Sequence, residues 1–277
     1  MTTDILLWQP SPERIARANI TDFARRVEAA SGRSIPDYAT LWRWSNDERE
    51  SFWRAVWDYA GIVGTRGERT LVDAARMPGA KWFPDARLNF AENLLARRAA
   101  DDAGDALVFR GEDKLTRRVS HAELGAMTSR VAAALKAMGM GAGDRVAAYV
   151  ANMPEAIMAM LGATSLGAVW SSCSPDFGVQ GVLDRFGQIE PRVLFTVDGY
   201  WYNGKPLPIL DKVADIVARL PTVERVVVIP YLEATGQGAQ DASRVRGAVG
   251  WETFLAPHSA GPIDYARMPF DHPLYIL

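Results

Sequence analysis

Asp198-Gly199-Tyr200-Trp201-Tyr202-Asn203-Gly204-Lys205 brings an acid, three consecutive aromatics, glycine and a lysine into one short stretch. An ammonium group beside stackable rings suits a nucleotide and its phosphates, since the cation pairs with phosphate while a ring covers a base. The same composition suits an aromatic surface loop packed on a neighbouring segment, and at this level both readings stand. A second cluster, Ser171-Ser172-Cys173-Ser174 followed by Pro175-Asp176-Phe177, offers hydroxyls and a thiol where an apolar strand pattern ends. Hydroxyls at such an edge could face a ligand. The simpler use has Ser174 or Asp176 capping the following helix, with Cys173 as a small buried filler. His121, His258 and His272 are scattered, the first in a helix-start motif and the others in Pro-flanked loops. They form neither a Cys/His nucleophile nor a metal-ligand spacing.

Gly139-Met140-Gly141-Ala142-Gly143-Asp144 is glycine-rich, but it follows a helical pattern and precedes a strand pattern. A dinucleotide loop runs the other way, from strand to helix, so a helix C-cap and a tight turn account for these glycines. No other segment matches G-x-G-x-x-G or G-x-x-x-x-G-K-[ST]. An NAD-linked dehydrogenase keeps only an alternation of strands and helices in its favour, and fold alone does not carry function.

The elements that must position these residues are readable from periodicity. From about residue 99, Leu107-Val108-Phe109 and Leu115 to Val119 predict a hairpin across Gly111-Glu112-Asp113-Lys114. Ser120-His121-Ala122-Glu123 is a capping box, opening a helix with Leu124, Met127, Val131, Leu135 and Met138 inward. Strands follow at Val146 to Val150, Ala168 to Ser172, Val193 to Val197 and Val226 to Ile229, separated by single amphipathic helices. That rhythm predicts α/β architecture, with βαβ units forming a mostly parallel sheet. Residues 233–249 read as a surface excursion. Leu274-Tyr275-Ile276-Leu277, entered through His272-Pro273, reads as a further buried parallel strand, cut short where a ligand-bearing loop would begin.

The first hundred residues differ. Ser11-Pro12 starts a helix whose Ile20, Phe23 and Val27 share a face as far as Gly32, and Ser45-Asn46-Asp47-Glu48 is a capping box for a helix ending at Gly61. Trp8, Trp42, Trp44, Trp53, Trp57 and Trp82 crowd this region, as large aromatics that fix small helices onto a body rather than as a ligand cage. The expected division is a Trp-rich helical region at 1–98, then 99–277 as the first, incomplete portion of a larger α/β domain.

With 31 basic and 33 acidic residues and a net charge of −2, the chain has no electrostatic footprint for nucleic acid. Its single cysteine excludes an internal disulfide and fits a reducing compartment. The N-terminus lacks a basic n-region, and the stretch from Ala156 to Trp170 falls short of the roughly 20 apolar residues of a spanning helix. A cytoplasmic protein without membrane or nucleic-acid partners is expected, its oligomeric state unreadable.

Dispersed segments in one order carry a resemblance. Trp82-Phe83-Pro84, Leu88-Asn89-Phe90-Ala91-Glu92-Asn93-Leu94, Gly143-Asp144-Arg145-Val146, Pro154-Glu155-Ala156, Leu166-Gly167-Ala168-Val169, Asp184-Arg185 and Thr196-Val197-Asp198 are in place. From about Tyr38 to Leu277 the chain resembles the N-terminal part of the AMP-forming acyl-CoA synthetases of the adenylate-forming superfamily. Ser171 to Phe177, Trp201 to Lys205 and the Trp-rich start look most like the branch that activates acetoacetate, with the acetyl- and propionyl-CoA synthetases as near relatives. The resemblance implies ATP, coenzyme A and Mg²⁺ as co-substrates and cofactor of a complete ligase. It implies that Tyr202, Asn203, Gly204 and Lys205 form a coenzyme A loop. Near relatives carry an arginine where Tyr202 stands, so phosphate pairing here would be weaker or differently arranged. The strand at Leu274 to Leu277 would lead into the ATP-phosphate loop, so no catalytic or metal-binding residue is expected within 1–277 and the fragment alone would be inactive. An acetyl- or propionyl-CoA synthetase fragment and a non-catalytic truncated remnant are the alternatives.

Overall fold

The computed structural model describes residues 7–96 and 102–277. The chain forms two compact units, one of Met1–Ile62 with Gly67–Pro84 and the other of Val63–Arg66 with Asp85–Leu277. The division expected between residues 98 and 99 lies outside the described residues.

In the first unit, Ser11 Oγ accepts from the Arg14 amide and Pro12 fills the first turn of α1 (Pro12–Ala16), as its sequence predicts. The chain then breaks, and α2 (Asn19–Ser31) is a separate helix ending at left-handed Gly32. Phe23 and Val27 are buried, but Ile20, expected on their face, is half exposed because it sits in the first turn after the break. Asp37 caps α3 (Tyr38–Asp47), accepting from Thr40 N at 2.7 Å. The capping box expected at Ser45 does not form. Ser45 Oγ instead donates to Trp42 O at 2.7 Å within the last turn of α3, and Glu48 pairs with Arg33. Thus α4 (Arg49–Ala60) begins with no side-chain cap and ends at Gly61, φ 60°. Phe23, Val27, Ile35, Leu41 and Trp44 form the core, with Phe52 edge-on to Trp44 at 5.6 Å and to Phe23 at 5.9 Å. Trp57 stacks obliquely on Phe83 at 5.0 Å. Trp44, Trp57 and the pair Trp53–Trp82 pack within this unit as expected, whereas Trp8 and Trp42 are exposed. After β1 (Gly64–Thr65), which belongs to the second unit, the antiparallel pair β2 (Leu71–Val72) and β3 (Lys81–Trp82) completes the first.

After β1, the second unit continues with β4 (Arg87–Leu88), α5 (Phe90–Leu95) and the expected hairpin of β5 (Asp105–Gly111) and β6 (Leu115–Ser120). Ser120 Oγ accepts from Glu123 N at 3.1 Å, so its capping box forms and starts α6 (His121–Ala137). Next come β7 (Arg145–Tyr149), α7 (Pro154–Ser165), β8 (Val169–Cys173), α8 (Val179–Ile189) and β9 (Val193–Val197). The pair β10 (Gly199–Tyr202) and β11 (Lys205–Pro208) precedes α9 (Leu210–Ala218), β12 (Arg225–Ile229), β13 (Ala248–Gly250), α10 (Trp251–Leu255) and β14 (Met268–Pro269).

Strands β13-β12-β9-β7-β8 form one parallel sheet, as expected. Counted from the β8 edge, its strands are second, first, third, fourth and fifth in the chain, a doubly wound order that places ligand chemistry beyond the carboxyl ends. Central β9, Val-Leu-Phe-Thr-Val, is buried throughout, which is why its sequence is apolar without alternation. Helices α6 and α7 approach closely at Gly162, where an added Cβ would lie 2.5 Å from Val131 Cγ1.

Two expectations are corrected at the sheet's margins. Residues 233–249 are not wholly excursion, because Ala248–Gly250 adds an edge strand and Val245 beneath it is buried. Leu274 to Leu277 do not form a buried strand. They make one parallel bridge, with Trp170 N donating to Leu274 O and Ile276 N to Trp170 O, and Tyr275 to Leu277 are exposed. Lying outside edge strand β8, they have a neighbour on one side only.

Candidate functional site

Two features sit beyond the carboxyl ends of the parallel strands. The first is a cleft of about 470 Å³ between the residues after β7, the end of β8 and residues 275–277. Along β8, Ser171 and Cys173 are buried while Ser172 and Ser174 are exposed, the alternation of a pleated edge strand. The capping role expected of Ser174 or Asp176 is not realised: α8 starts after Gly178, with no side-chain cap bond. Tyr149 instead holds the segment that leads into α8. Its buried hydroxyl lies 2.7 Å from Pro175 O and 2.6 Å from Phe177 O, sharing one proton between the two carbonyls and fixing the approach to α8. Burial pushes the Tyr149 phenol up to about 12, so it stays a donor throughout the physiological range.

Cys173 is the filler the sequence suggests. Burial raises its thiol pKa, against a smaller opposing influence of Arg185, which leaves it protonated and unreactive. Alkylation of this single thiol at pH 8 is expected to run on the order of a hundredfold slower in the folded chain than in urea, because only local opening exposes it. Equal rates, followed by mass spectrometry, would refute that burial.

The second feature is the segment 198–205. It is a hairpin, not a loop: Tyr202 pairs with Lys205, and Asn203 (φ 50°) and Gly204 (φ 73°) form the two-residue turn between them. Successive positive φ angles define a type I′ turn, for which Asn-Gly is the strongest short signal. Glycine meets that requirement without strain. All of residues 202–205 are exposed, and Lys205 has no ion-pair partner among the described residues. The acid of the cluster is spent elsewhere. Asp198 is buried, its carboxylate accepting from Leu232 N at 2.8 Å and Glu233 N at 2.9 Å, and so caps the turn after β12.

The hairpin's tip is held from outside by the β5–β6 turn. Glu112 Oε1 accepts from Asn203 N at 2.8 Å and Oε2 from Gly204 N at 2.9 Å, a two-oxygen grip on both turn amides. Lys114 Nζ lies 5.0 Å above the Trp201 ring, and Trp201 Nε1 donates to Thr235 Oγ1 at 2.9 Å. The site thus presents a cation with no ion-pair partner among the described residues, beside an exposed phenol and on a turn braced at its backbone.

The exposed cation sits on a braced turn beyond the carboxyl ends of a doubly wound sheet, the edge at which such folds bind ligands. The family described as AMP-binding enzyme matches residues 95–275, and that described as acetyl-coenzyme A synthetase N-terminus matches residues 38–94. The chain belongs to the AMP-binding enzyme family. An acetoacetyl-coenzyme A synthetase of Rhizobium meliloti (strain 1021) is 50% identical over 273 residues, covering 98% of this chain and 40% of the relative. A malonamoyl-CoA synthetase of Penicillium aethiopicum is 37% identical, over 98% of this chain and 38% of its own length. The solved structure of acetoacetyl-CoA synthetase from Streptomyces lividans matches with a TM-score of 0.87 and 44% identity, over 98% of this chain and 41% of that one. The chain spans about 40% of the length of the curated relatives it matches.

Glu112 escaped the sequence reading because it was assigned to a hairpin connection. The contact joins a carboxylate of one turn to backbone amides of the other, which the side-chain sequence does not display. Their contact is 91 residues apart in sequence, which no local pattern reports. Among the described residues no helix is long and apolar enough to cross a membrane, and no group of three or more His, Cys, Asp or Glu side chains could hold a metal ion.

Proposed function

We propose that this chain is the N-terminal part of an ATP-dependent acid–thiol ligase acting on acetoacetate, in which Tyr202 to Lys205 meet coenzyme A. In that reaction a carboxylate oxygen attacks the α-phosphorus of ATP and pyrophosphate leaves. The coenzyme A thiol then attacks the acyl carbon of the adenylate, and AMP leaves. The observation that carries this reading is the identity of 50% maintained across 98% of the chain with an acetoacetyl-coenzyme A synthetase. Malonamate is a second reading worth one comparison, because its namesake relative aligns as well as several acetoacetyl-CoA synthetases do. Both acids are short and carry a carbonyl two carbons from the carboxylate.

The residues at hand contribute binding rather than bond-breaking. Lys205 would pair with a coenzyme A phosphate, and the Tyr202 ring, 67% exposed, offers a stacking face or a hydroxyl donor. Magnesium would enter with the ATP phosphates.

Two measurements test the reading. The full-length protein should catalyse acetoacetate-dependent pyrophosphate exchange faster than exchange with acetate or propionate, and residues 1–277 alone should show none. Lys205→Ala should raise KM for coenzyme A roughly tenfold, the loss of one charge-assisted contact of about 1.4 kcal/mol, with KM for ATP unmoved. A coenzyme A KM that does not respond would remove this turn from the thiol-donor site.

A further inference from the structure

The bidentate contact between Glu112 and the hairpin tip asks for a reason. Glu112 stands at φ 50°, a left-handed conformation that glycine or asparagine adopts more readily than glutamate. Nothing in the β5–β6 turn itself needs a carboxylate at that position. What the conformation delivers is reach across to a different hairpin, where both oxygens meet backbone amides at 2.8 and 2.9 Å. The left-handed conformation of Glu112 thus coincides with a contact between separate elements.

The consequence for charge is specific. Two adjacent N–H groups at a turn tip, both aimed outward, form a ready anion site. Here that site is filled by the protein's own carboxylate. A phosphate approaching the tip would meet amides already engaged and a negative charge beside them, so the amides are not its donors. The Lys205 ammonium on the flank, with no ion-pair partner among the described residues, is the cation left to receive it. Lys114 on the opposing turn is committed to Asp113 at 2.9 Å and to the Trp201 ring.

The bracing continues behind the tip. An added Cβ at Gly111 would lie 2.2 Å from the Tyr231 hydroxyl, and Phe109 meets Tyr231 edge-on at 6.1 Å. The two hairpins are therefore in contact at the tip through Glu112 and at the side through Lys114 and Trp201, while the first is seated on Tyr231.

We infer that Glu112 is a positioning residue for the coenzyme A step. By occupying the Asn203 and Gly204 amides it locks the turn that carries Tyr202 and Lys205, and it confines phosphate recognition to the Lys205 side chain. The inference rests on the reading of residues 202–205 as a coenzyme A contact.

The test uses the full-length protein with Glu112→Ala, Glu112→Gln and Lys205→Ala side by side. Glu112→Ala is expected to raise KM for coenzyme A roughly tenfold with kcat within about twofold, and Glu112→Gln, which keeps one acceptor oxygen, to recover part of that rise. Hydrogen exchange at Asn203 and Gly204 should speed up about tenfold or more in Glu112→Ala. An unchanged or lowered KM for coenzyme A in Glu112→Ala, while Lys205→Ala raises it, would overturn the inference and make Glu112 an obstacle or a bystander. If Lys205→Ala also leaves KM alone, the coenzyme A reading itself has failed. The exchange result then still decides whether Glu112 locks the turn.

Discussion

Asn89→Asp is expected to destabilise the protein more than Asn89→Ala, although aspartate is the better helix cap. Asn89 is buried at the start of α5, where its Oδ1 accepts from Glu92 N at 3.1 Å. Its amide nitrogen donates to Ala266 O at 2.8 Å, Thr164 O at 2.9 Å and Ser165 O at 3.1 Å. Two of those carbonyls belong to the last turn of α7, whose C-terminal oxygens have no partner within the helix. Thr164 O retains the Gly167 amide and Ser165 O the Ala266 amide, so removal of the side chain chiefly orphans the Glu92 amide and Ala266 O. At about 1–3 kcal/mol for each of these two orphaned groups, Asn89→Ala should cost about 2–6 kcal/mol. Aspartate keeps the cap but points a carboxylate at three carbonyl oxygens in a buried site, which adds repulsion to lost donation. Urea unfolding of the three proteins decides the order. If the cap dominated, Asn89→Asp would be the milder change, and the clasp between α7 and residue 266 would carry little.

Arg117→Ala should cost about 3–5 kcal/mol, a large part of any domain's stability. Arg117 on β6 forms an ion pair with Glu155 in the first turn of α7, whose side chain is only 9% exposed. Glu155 Oε2 has no hydrogen-bond partner among the described residues, and the neighbouring cavity of about 310 Å³ is lined by Met127, Met153 and Met158 together with Glu123, Arg130 and Glu252. Arg117 is the ion-pair partner of this carboxylate among the described residues, and removing its guanidinium leaves a nearly buried charge unpaired. Removing the charge as well should reverse most of the loss. Arg117→Met combined with Glu155→Met is therefore expected to lie within about 1.5 kcal/mol of the parent, since similar volumes refill the space. A double variant as unstable as Arg117→Ala would mean that the pair acts through packing and not through charge.

The parallel sheet was legible because its strands carry their burial in their composition. Val193 to Val197 could hardly be anything but a central strand once helices flanked it. The Ser120 box was legible for a local reason too, its cap and its capped amide lying three residues apart. The similar-looking Ser45 motif failed because a stronger start at Asp37 had already carried the helix through it. Asn203-Gly204 carries a plain turn signal, although the aromatics before it give the stretch a loop-like composition. Asp198 was unreadable on principle, since the amides it caps come 34 residues later. The candidate site follows the same division. Lys205 was visible as a cation in a loop-like stretch, whereas the carboxylate that braces its turn lies 91 residues earlier, across a contact only the fold creates.

The small antiparallel sheet of β1, β4 and β14 joins residues 64–65, 87–88 and 268–269. Asn89 beside it reaches Ala266, 177 positions further on. On a ribosome adding about 5–20 residues per second, the early strands emerge roughly ten to forty seconds before the strand that closes them. For that interval the Asn89 amide waits without its most distant acceptor and β4 lacks β14. The nascent chain thus passes through a stage with an open strand edge and an unclosed apolar surface. This is the stage at which a chaperone would find most to hold.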